Sequence, residues 1–201
     1  MRVLIATTNR HKVREITQLL ADASIDLITL EAWPDVAAPE ETGRTFAENA
    51  RAKAQYYARA TGELTIAEDS GLEIDALGGA PGVESARFGG ANTSYADKFA
   101  VIYAELRQKG ATDSAARFVC ALALATSDRV LFETRGIIEG RIAPEPKGAG
   151  GFGYDPIFFY PPYGRTLAEV DAEQKSAVSH RGQAFRALRQ YLQDDVQRGT
   201  R

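Results

Sequence analysis

The sequence predicts an α/β protein with a mixed β-sheet, and three observations support this prediction. Short apolar runs, typical of buried strands, alternate with stretches whose apolar residues recur at helical spacing. Of the 201 residues, 44% are hydrophobic and 25% are charged, which is the composition of an ordinary globular protein. No internal repeat, low-complexity tract or long linker interrupts the chain. We therefore expect one domain spanning residues 1–201, or two closely joined lobes.

The first part of the chain reads as strand, helix, strand, helix, strand. Each strand is a short apolar run, and each helix carries apolar residues on one face. Thr45 and Glu48 form the capping box that starts the second helix, and Gly62 ends it. The predicted elements are a strand at Val3–Thr7, a helix from about His11 to Ala21, a strand at Ile25–Leu30, the capped helix, and a strand at Leu64–Ala67 followed by an acidic turn at residues 68–71.

The second part of the chain predicts two further helices and a long hairpin. Asn92 or Thr93 is expected to cap a helix that ends at Gly110. Phe118–Ala125 and Val130–Ile142 read as two long strands, paired as a hairpin through residues 127–128. A last helix starts near Ser179 and buries Phe185, Leu188 and Leu192.

Composition excludes several classes of function. Acidic residues outnumber basic ones by 27 to 24, whereas a protein that grips long nucleic acid through many phosphates is usually basic. The single cysteine, Cys120, lies in an apolar run and is expected to be a buried thiol in a reducing compartment. No apolar stretch reaches the roughly 20 residues of a membrane span, and the N-terminus turns polar too early for a signal peptide. We expect a cytoplasmic protein with no nucleic-acid or membrane partner.

The segment from residue 7 to residue 12 is the first candidate binding site. It follows a predicted strand and starts a helix, where free N–H groups, hydroxyls and a lysine can hold phosphate. The alternative is an ordinary capped helix with solvated side chains. No P-loop motif occurs anywhere in the chain. The segment consists of Thr7, Thr8, Asn9, Arg10, His11 and Lys12.

Two acidic pairs form the second candidate site. Glu40 and Glu41 precede a predicted helix, and Glu68 and Asp69 follow a predicted strand. Carboxylates from a strand end and a nearby loop are typical of a Mg²⁺ site, because this ion prefers oxygen ligands and keeps several waters. An ionised aspartate can also accept a proton from an attacking water. The alternative is that all four side chains simply face solvent.

A glycine-rich loop and a cationic segment complete the candidates. Gly148, Gly150 and Gly153 match a dinucleotide fingerprint formally, but Pro156 blocks the helix that this fingerprint needs. The loop instead offers bare backbone to a flat ligand, with Phe152 or Tyr154 available to stack on it. The segment from residue 175 to residue 182 places Lys175, His180 and Arg181 near a predicted helix N-terminus, where cations oppose the helix dipole unless an anion binds.

Six spaced motifs along the chain together resemble one protein family. The resemblance runs from about residue 3 to residue 192 and is to the non-canonical purine nucleoside triphosphate pyrophosphatases, the inosine triphosphatase or HAM1-like family. Thr8 stands where many members have glycine, and Glu68 where bacterial members often have aspartate. The motifs are Thr7-Thr-Asn-x-x-Lys-x-x-Glu15, Thr45-Phe-x-Glu-Asn49, Glu68-Asp-Ser-Gly-Leu72, Leu77-Gly-Gly-Ala-Pro-Gly-Val-x-Ser-Ala-Arg87, Gly150-Gly-Phe-Gly-Tyr-Asp-Pro-Ile-Phe158 and Lys175-Ser-Ala-Val-Ser-His-Arg-Gly182.

The resemblance implies a homodimeric, Mg²⁺-dependent enzyme. It would hydrolyse the triphosphates of inosine, deoxyinosine and xanthosine (ITP, dITP and XTP) to the monophosphate and pyrophosphate, which keeps deaminated purines out of nucleic acid. The family fold is a long mixed sheet with two α/β lobes flanking a central active-site cleft.

The resemblance also implies a role for each candidate residue. The residues from Thr7 to Lys12 would hold the triphosphate, and Glu41 and Asp69 the metal, with Glu40 and Glu68 as neighbours. Asp69 would accept the proton of the attacking water. Ser70 would touch the substrate, and the pocket for base and phosphate would comprise Phe152, Gly153, Tyr154, Asp155, Lys175, His180 and Arg181.

Discrimination between purines is expected at position 6 of the base. Deaminated purines carry a carbonyl oxygen there, which donors such as His180, Arg181 or backbone N–H groups can pair with. Adenine carries an amino group, so those donors would stay unpaired at about 1–3 kcal/mol per group. Guanine shares the carbonyl, and its rejection would have to come from crowding near position 2.

Two other functions are compatible with the same residues. A pyrophosphatase resembling the Maf-like enzymes would act on pyrimidine or modified nucleotides. A regulator could bind a nucleotide without turnover, although intact carboxylates are poor neighbours for a site that only binds anions. A panel of nucleotides distinguishes the three functions.

Overall fold

The computed structural model describes residues 1–23, 25–90, 92–111 and 113–199, with side chains as far as Asp194. Strands and helices alternate through these ranges, which confirms the predicted α/β class. The strands are β1 (Arg2–Ile5), β2 (Asp26–Thr29), β3 (Thr65–Ile74), β4 (Ala115–Ala125), β5 (Val130–Ile142), β6 (Phe158–Tyr160) and β7 (Arg165–Thr166). The α-helices are α1 (Arg10–Leu19), α2 (Phe46–Thr61), α3 (Tyr95–Gln108), α4 (Ala172–Val178) and α5 (His180–Gly199).

The strands form one mixed sheet in the order β2-β1-β3-β4-β5-β6-β7. Strand β1 is central to the parallel part, pairing with β2 on one side and with β3 on the other. The far part is antiparallel, because β6 pairs in the opposite direction with both β5 and β7. The β4–β5 connection is the predicted tight turn, closed by a hydrogen bond from Thr126 N–H to Arg129 C=O at 2.9 Å. The mixed sheet predicted from the sequence is confirmed.

The helix boundaries follow local capping chemistry. The capping box of α2 is present as predicted, with the Thr45 hydroxyl accepting from Glu48 N–H and the Glu48 carboxylate accepting from Thr45 N–H. Gly62 ends this helix at a φ of 73°, a left-handed conformation that glycine adopts without strain. Helix α5 begins one residue after the predicted start and buries Phe185 and Leu188 completely.

Besides the short strands β6 and β7, which were not predicted, three elements differ from the sequence prediction. Strand β3 continues through residues 68–71, where a turn was predicted, because Glu68 and Asp69 find partners for their charges inside the fold. Helix α3 is capped by Ser94 rather than by Asn92 or Thr93, since the Ser94 hydroxyl accepts from Asp97 N–H at 3.1 Å.

The third difference is helix α4, which the sequence analysis did not separate from the last helix. Asp171 and Gln174 form its capping box, and this spacing was the available sequence signal. Lys175 lies in the last turn of α4, where the helix dipole favours a cation. Lys175 was predicted near the N-terminus of the last helix, and in the structure it belongs instead to the separate helix α4 that directly precedes α5.

The chain divides into two compact units. The first contains Met1–Asp69, Cys120–Gly136 and the chain from His180 onward, and the second contains Ser70–Val119 and Ile137–Ser179. Strands β3, β4 and β5 each contribute residues to both units.

Each unit has its own hydrophobic core. In the first, residues of β1, β3 and β4 pack with α1 and α5; its most buried members include Val3, Ile5, Ile16, Leu122, Phe185 and Leu188. In the second, the Phe118 and Phe158 rings pack with centroids 4.5 Å apart, together with residues of α3 such as Ile102. Cys120 is a buried free thiol in the first core, as predicted. Of the helices described, none is long and apolar enough to cross a bilayer.

Candidate active site

Strand register brings two of the candidate segments to one edge of the sheet. In the parallel pair of β1 and β3, Leu4 lies opposite Thr65 and Ile5 opposite Ile66. Continuing this register places the segment from Thr7 next to Glu68 and Asp69. Ligands of α/β proteins commonly bind outside the carboxyl ends of parallel strands. The segment from Thr7 follows the carboxyl end of β1, and Glu68 and Asp69 lie beside it within the longer β3.

The segment from Thr7 to Lys12 is a capped helix start. The Asn9 side chain accepts hydrogen bonds from the backbone N–H groups of His11 and Lys12, at 3.0 and 3.3 Å. Asn9 N–H in turn donates to the Thr7 hydroxyl at 3.2 Å. The ordinary capping alternative is therefore present, yet Thr8 and Arg10 remain exposed. Hydroxyl and guanidinium groups of this segment stay accessible to an anion.

Glu68 is a buried counter-ion. Its Oε1 accepts from Arg181 at 3.0 and 3.2 Å, and Lys12 Nζ lies 3.1 Å from the same oxygen. Arg181 also donates to Glu15 at 2.7 Å, so its guanidinium joins carboxylates of β3 and α1. Burial alone would raise the pKa of Glu68, but the charges of Arg181 and Lys12 outweigh burial and hold the pKa well below its usual range. Glu68 therefore stays ionised at neutral pH.

Lys53 joins the two carboxylates that the sequence analysis assigned to a metal. Its Nζ lies 2.6 Å from Glu41 Oε1 and 3.7 Å from Asp69 Oδ1, with only 13% of the Lys53 side chain exposed. Burial alone would lower the pKa of Lys53, but the charges of Asp69 and Glu41 outweigh this effect and raise it. The ammonium group is therefore a permanent positive charge between these two side chains. Glu40, beside Glu41, is exposed.

Asn49 holds Asp69 and the Glu41 loop at the same time. Its Nδ2 donates to Asp69 Oδ2 at 2.9 Å, and its Oδ1 accepts from Gly43 N–H at 2.8 Å. Asn49 is 2% exposed, so neither bond can be exchanged for water without moving the helix. Burial raises the pKa of Asp69 above its ordinary value, and Lys53 and Asn49 offset this only in part. A raised pKa suits a carboxylate that accepts a proton.

The donor set of Glu41 and Asp69 fits a Mg²⁺ ion. Both carboxylates already face one positive charge, the Lys53 ammonium, which marks the place where a cation is stabilised. Among the described residues, ion pairs link four carboxylates to the cationic groups of Lys12, Lys53 and Arg181; the carboxylates are those of Glu15, Glu41, Glu68 and Asp69. No group of three or more His, Cys, Asp or Glu ligands occurs within the described ranges. Mg²⁺ commonly binds through one or two carboxylates plus substrate phosphates and waters, and two carboxylates suffice for that.

The second unit contains several of the predicted pocket residues, those of the glycine-rich loop and Lys175. Lys175 Nζ donates to Asp155 Oδ2 at 2.6 Å and lies 4.6 Å from the centre of the Phe152 ring. Asp155 also accepts from Phe152 N–H at 2.8 Å. Both charged groups are buried, so their pair holds Phe152 in a defined orientation.

Glycine is required in the loop beside that pair. Gly151 has a φ of 66°, and a Cβ there would lie 2.1 Å from Asp155 Oδ2. Gly153, the predicted pocket residue, has a φ of 67°.

Tyr154 is buried and donates to Ser85 C=O at 2.8 Å, while Phe152 is half-buried. Of the two aromatic candidates, Phe152 is therefore the one with an accessible ring. Ser70 is half-buried in β3.

His180 is positioned by a close approach of helix to strand. A Cβ on Gly136 of β5 would lie 2.0 Å from the His180 carbonyl oxygen, so only glycine allows α5 to start there. His180 and Arg181 are both buried, at 5% and 1% exposure. Both begin α5, whereas Lys175 belongs to α4.

The sequence analysis gave no role to Asn49 or Lys53. Asn49 belongs to the motif Thr45-Phe-x-Glu-Asn49, and the spacing of polar residues along α2 could have indicated both side chains. Residues 46, 50, 54 and 57 form the apolar face of α2, and positions 49 and 53 follow the same helical spacing. A polar pair within an otherwise apolar face indicates a buried polar contact.

Comparison with known proteins identifies relatives of this chain. The model of the Ham1 family matches residues 3–191. A protein of Exiguobacterium named dITP/XTP pyrophosphatase is 46% identical over 188 residues, covering 94% of this chain and 95% of its own length. A Thermus thermophilus protein of the same name is 45% identical over 194 residues, covering 96% and 93%.

Solved structures agree with the sequence comparison. A HAM1 protein from Coxiella burnetii is 41% identical and superimposes with a TM-score of 0.90, covering 96% of this chain and 99% of its own. The Ham1 protein of Staphylococcus aureus is 35% identical with a TM-score of 0.86, covering 97% and 100%. Sequence and fold therefore lead to one conclusion: this chain belongs to the Ham1 family.

Proposed function

We propose that this protein is a nucleoside triphosphate pyrophosphatase that hydrolyses dITP, ITP and XTP to the monophosphate and pyrophosphate, with Mg²⁺ as its metal. The observation that carries the proposal is the Glu41–Lys53–Asp69 cluster. It lies in a chain that aligns along nearly its whole length with proteins named dITP/XTP pyrophosphatase. Such an enzyme would remove deaminated purines from the nucleotide pool.

Side chains around the α1 N-terminus would bind the triphosphate. Thr7, Thr8 and Arg10 offer donors, and Lys12 and Lys53 offer positive charge. Hydrolysis of a phosphoanhydride builds negative charge on its bridging and terminal oxygens, which fixed cations stabilise. This role for the segment is compatible with its capping bonds, because Asn9 satisfies the N–H groups of His11 and Lys12 while leaving the exposed side chains accessible.

Asp69 would accept the proton of the attacking water, and Asn49 would orient Asp69 for that step. Glu41 and Asp69 would hold the Mg²⁺, which when bound polarises phosphate oxygens. Glu40 and Glu68 stay as further metal candidates, although Glu68 already pairs with Arg181 and Lys12. No covalent nucleophile is needed. Cys120 does not supply one either, since burial and the Glu68 charge raise the pKa of its thiol.

The base would bind against the Phe152 ring, with Lys175 and Asp155 fixing that ring. The resemblance to the family proposes further substrate contacts, and donors among these residues would read the 6-carbonyl of the purine. They are Ser70, Gly153, Tyr154, His180 and Arg181. In the structure Arg181 donates to two carboxylates, so its contribution to the pocket includes holding Glu68 and the start of α5.

A nucleotide panel tests the proposal. Monophosphate and pyrophosphate are measured from dITP, XTP, dATP, dGTP, dTTP and UTP, each with and without Mg²⁺. We expect dITP and XTP to react far faster than the others, and only with the metal. Preferential hydrolysis of dTTP or UTP would instead support the Maf-like alternative, and tight nucleotide binding without pyrophosphate release would support a regulator.

Substitution of Asp69 by asparagine tests its role. Asp69→Asn keeps the shape and the Asn49 contact but removes the proton acceptor, so we expect kcat to fall by at least about 100-fold. Circular dichroism and the thermal midpoint should change little. Near-normal turnover in this variant would remove Asp69 from the role of base.

A homodimer in the cytoplasm is also part of the proposal. The chain carries a net charge of −3, which gives no support to nucleic-acid binding. Light scattering on the purified protein measures its mass directly, and twice 21.8 kDa is expected.

A further inference from the structure

A cavity of about 500 Å³ lies in the first unit, beside the proposed triphosphate site. It opens at the carboxyl ends of β1 and β2, whose register sets Ile5 opposite Thr29. Proteins hold drug-sized ligands in cavities of about 300–1,000 Å³, so this space is large enough for a nucleoside. The function proposed above places phosphate against Thr7, Thr8 and Arg10 on one wall of the cavity and gives the rest of the cavity no occupant.

The lining of the cavity has the chemistry of a site for a flat, anionic ligand. Trp33 and Tyr57 supply aromatic surface, and Val13, Leu30 and Val36 supply aliphatic surface. Aromatic side chains of this kind stack on the faces of heterocyclic bases, whichever base is present.

Two arginines add positive charge to the lining, which also contains one carboxylate, that of Glu31. Arg10 and Arg14, both on the exposed side of α1, line the cavity. Within the described ranges neither guanidinium forms an ion pair, whereas Arg181, on α5, is bound to two carboxylates. An unpaired guanidinium pair next to aromatic rings suits a phosphate that carries a planar group.

The cavity shares part of its wall with the phosphate segment. Thr7, Thr8 and Arg10 line it and also belong to the segment to which we assign the triphosphate. If that assignment holds, a terminal phosphate lies at the mouth of the cavity. A group esterified to that phosphate would then enter the cavity rather than meet solvent.

We propose that this cavity receives a second nucleoside, so that the enzyme also hydrolyses dinucleoside polyphosphates with a deaminated purine at one end. The inference rests on the proposed function, because it uses the same phosphate segment and the same base. For diinosine tetraphosphate, one water adds across the bond between the first and second phosphorus. The water oxygen joins phosphorus and its proton goes to Asp69. The bridging oxygen leaves with the second nucleoside, so the products are inosine monophosphate and inosine triphosphate.

Trp33 makes the cavity observable, because it is the single tryptophan of the chain. Its emission is recorded in metal-free protein, where no turnover occurs, while diinosine tetraphosphate or inosine tetraphosphate is added. The two compounds differ only in the second nucleoside. We expect only diinosine tetraphosphate to change the emission at saturation. Absence of a change, or an equal change with both compounds, would overturn the proposal.

Hydrolysis by two variants gives an independent test. Trp33→Ala should lower kcat/KM for diinosine tetraphosphate about tenfold relative to the unmodified protein, and leave kcat/KM for inosine triphosphate within about twofold. Arg14→Gln changes an exposed side chain and should leave the packing around the cavity intact. It should also lower kcat/KM for diinosine tetraphosphate more than kcat/KM for inosine triphosphate. An equal effect of Trp33→Ala and Arg14→Gln on both substrates would contradict the proposal.

The outcomes separate this proposal from the one on which it rests. If inosine triphosphate is not hydrolysed at all, the proposed function fails, while the emission titration still reports whether the cavity takes a nucleoside. If inosine triphosphate is hydrolysed and diinosine tetraphosphate gives neither signal, only the cavity proposal fails. A change in emission with free inosine that also alters turnover of the triphosphate would identify an effector site and contradict the proposal.

Discussion

Buried ion pairs and the side-chain amide of Asn49 hold the residues of the candidate site in place. Asn49 donates to Asp69 through its nitrogen and accepts from Gly43 through its oxygen, so a single side chain connects Asp69, the proposed proton acceptor, to the loop that carries Glu41. Sequence reasoning singled out the carboxylates, because acidic pairs after a strand are conspicuous, and their metal and catalytic roles stay predictions. It missed Asn49 and Lys53, since the meaning of a polar residue on an apolar helix face depends on what packs against it.

Replacement of Asn49 tests this arrangement through pH. The hydrogen bond from Asn49 favours ionised Asp69 and so lowers its pKa; Asn49→Ala removes this effect and raises the pKa further. The base form of Asp69 is lost as pH falls through the pKa, so the acid limb of kcat/KM should move to higher pH. Activity should therefore fall more at pH 6 than at pH 8. The free energy of unfolding should fall by about 2 kcal/mol, because Asn49→Ala also removes buried hydrogen bonds.

Glu48→Ala is the matched control for that experiment. It also removes two hydrogen bonds at the start of α2, to the backbone N–H groups of Arg44 and Thr45, without touching Asp69. We expect a loss of stability and an unchanged acid limb. If both variants shift the limb equally, Asn49 has no specific effect on the proton acceptor.

Among elements, strand β3 is the one whose prediction failed most informatively. Sequence alone favoured a turn at residues 68–71, because charged residues and a glycine are typical of exposed loops. The strand persists because Arg181 and Lys12 pair with Glu68, and those partners come from other elements. Helices α1, α2 and α5 were predictable, since their caps and apolar faces are local in sequence.

The contact between β5 and α5 gives a prediction at this scale. Gly136→Ala places a Cβ 2.0 Å from the His180 carbonyl, so α5 must move away from the strand. We expect kcat/KM for dITP to fall at least about tenfold together with a lower thermal midpoint, because His180 and Arg181 move with the helix. Gly62→Ala is the comparison: its φ of 73° makes alanine strained by about 1 kcal/mol, but a Cβ there meets nothing within 4 Å. Equal activity losses in the two variants would contradict a role for the β5–α5 contact.

At the scale of the whole molecule, Arg181 joins three elements of the first unit. It lies on α5 and binds Glu68 of β3 and Glu15 of α1. The mixed α/β class and most helices could be predicted from the periodicity of apolar residues. Arg181, in contrast, is 113 positions from Glu68 and 166 positions from Glu15 in the sequence, so no local pattern predicts these contacts.

A double-mutant cycle measures that connection. Removing one partner of a buried pair leaves an uncompensated charge, so Arg181→Met should cost about 3–5 kcal/mol in urea unfolding. The double variant that also carries Glu68→Gln should lose less stability than the sum of the losses in the two single variants. The exposed pair of Arg51 and Glu133 is the control, and Arg51→Met should cost less than about 1 kcal/mol. Additive losses for Arg181 and Glu68 would show that the pair is not a stabilising unit.

The proposed function depends most on Glu41 and Asp69 holding a divalent cation, and Mn²⁺ binding tests this directly. Electron paramagnetic resonance counts free Mn²⁺ as the protein is titrated with a non-hydrolysable dITP analogue present, in the unmodified protein, Glu41→Gln and Asp69→Asn. We predict that each substitution weakens Mn²⁺ binding at least about tenfold, because each removes one charged ligand. Affinities equal to that of the unmodified protein in both variants would contradict the account.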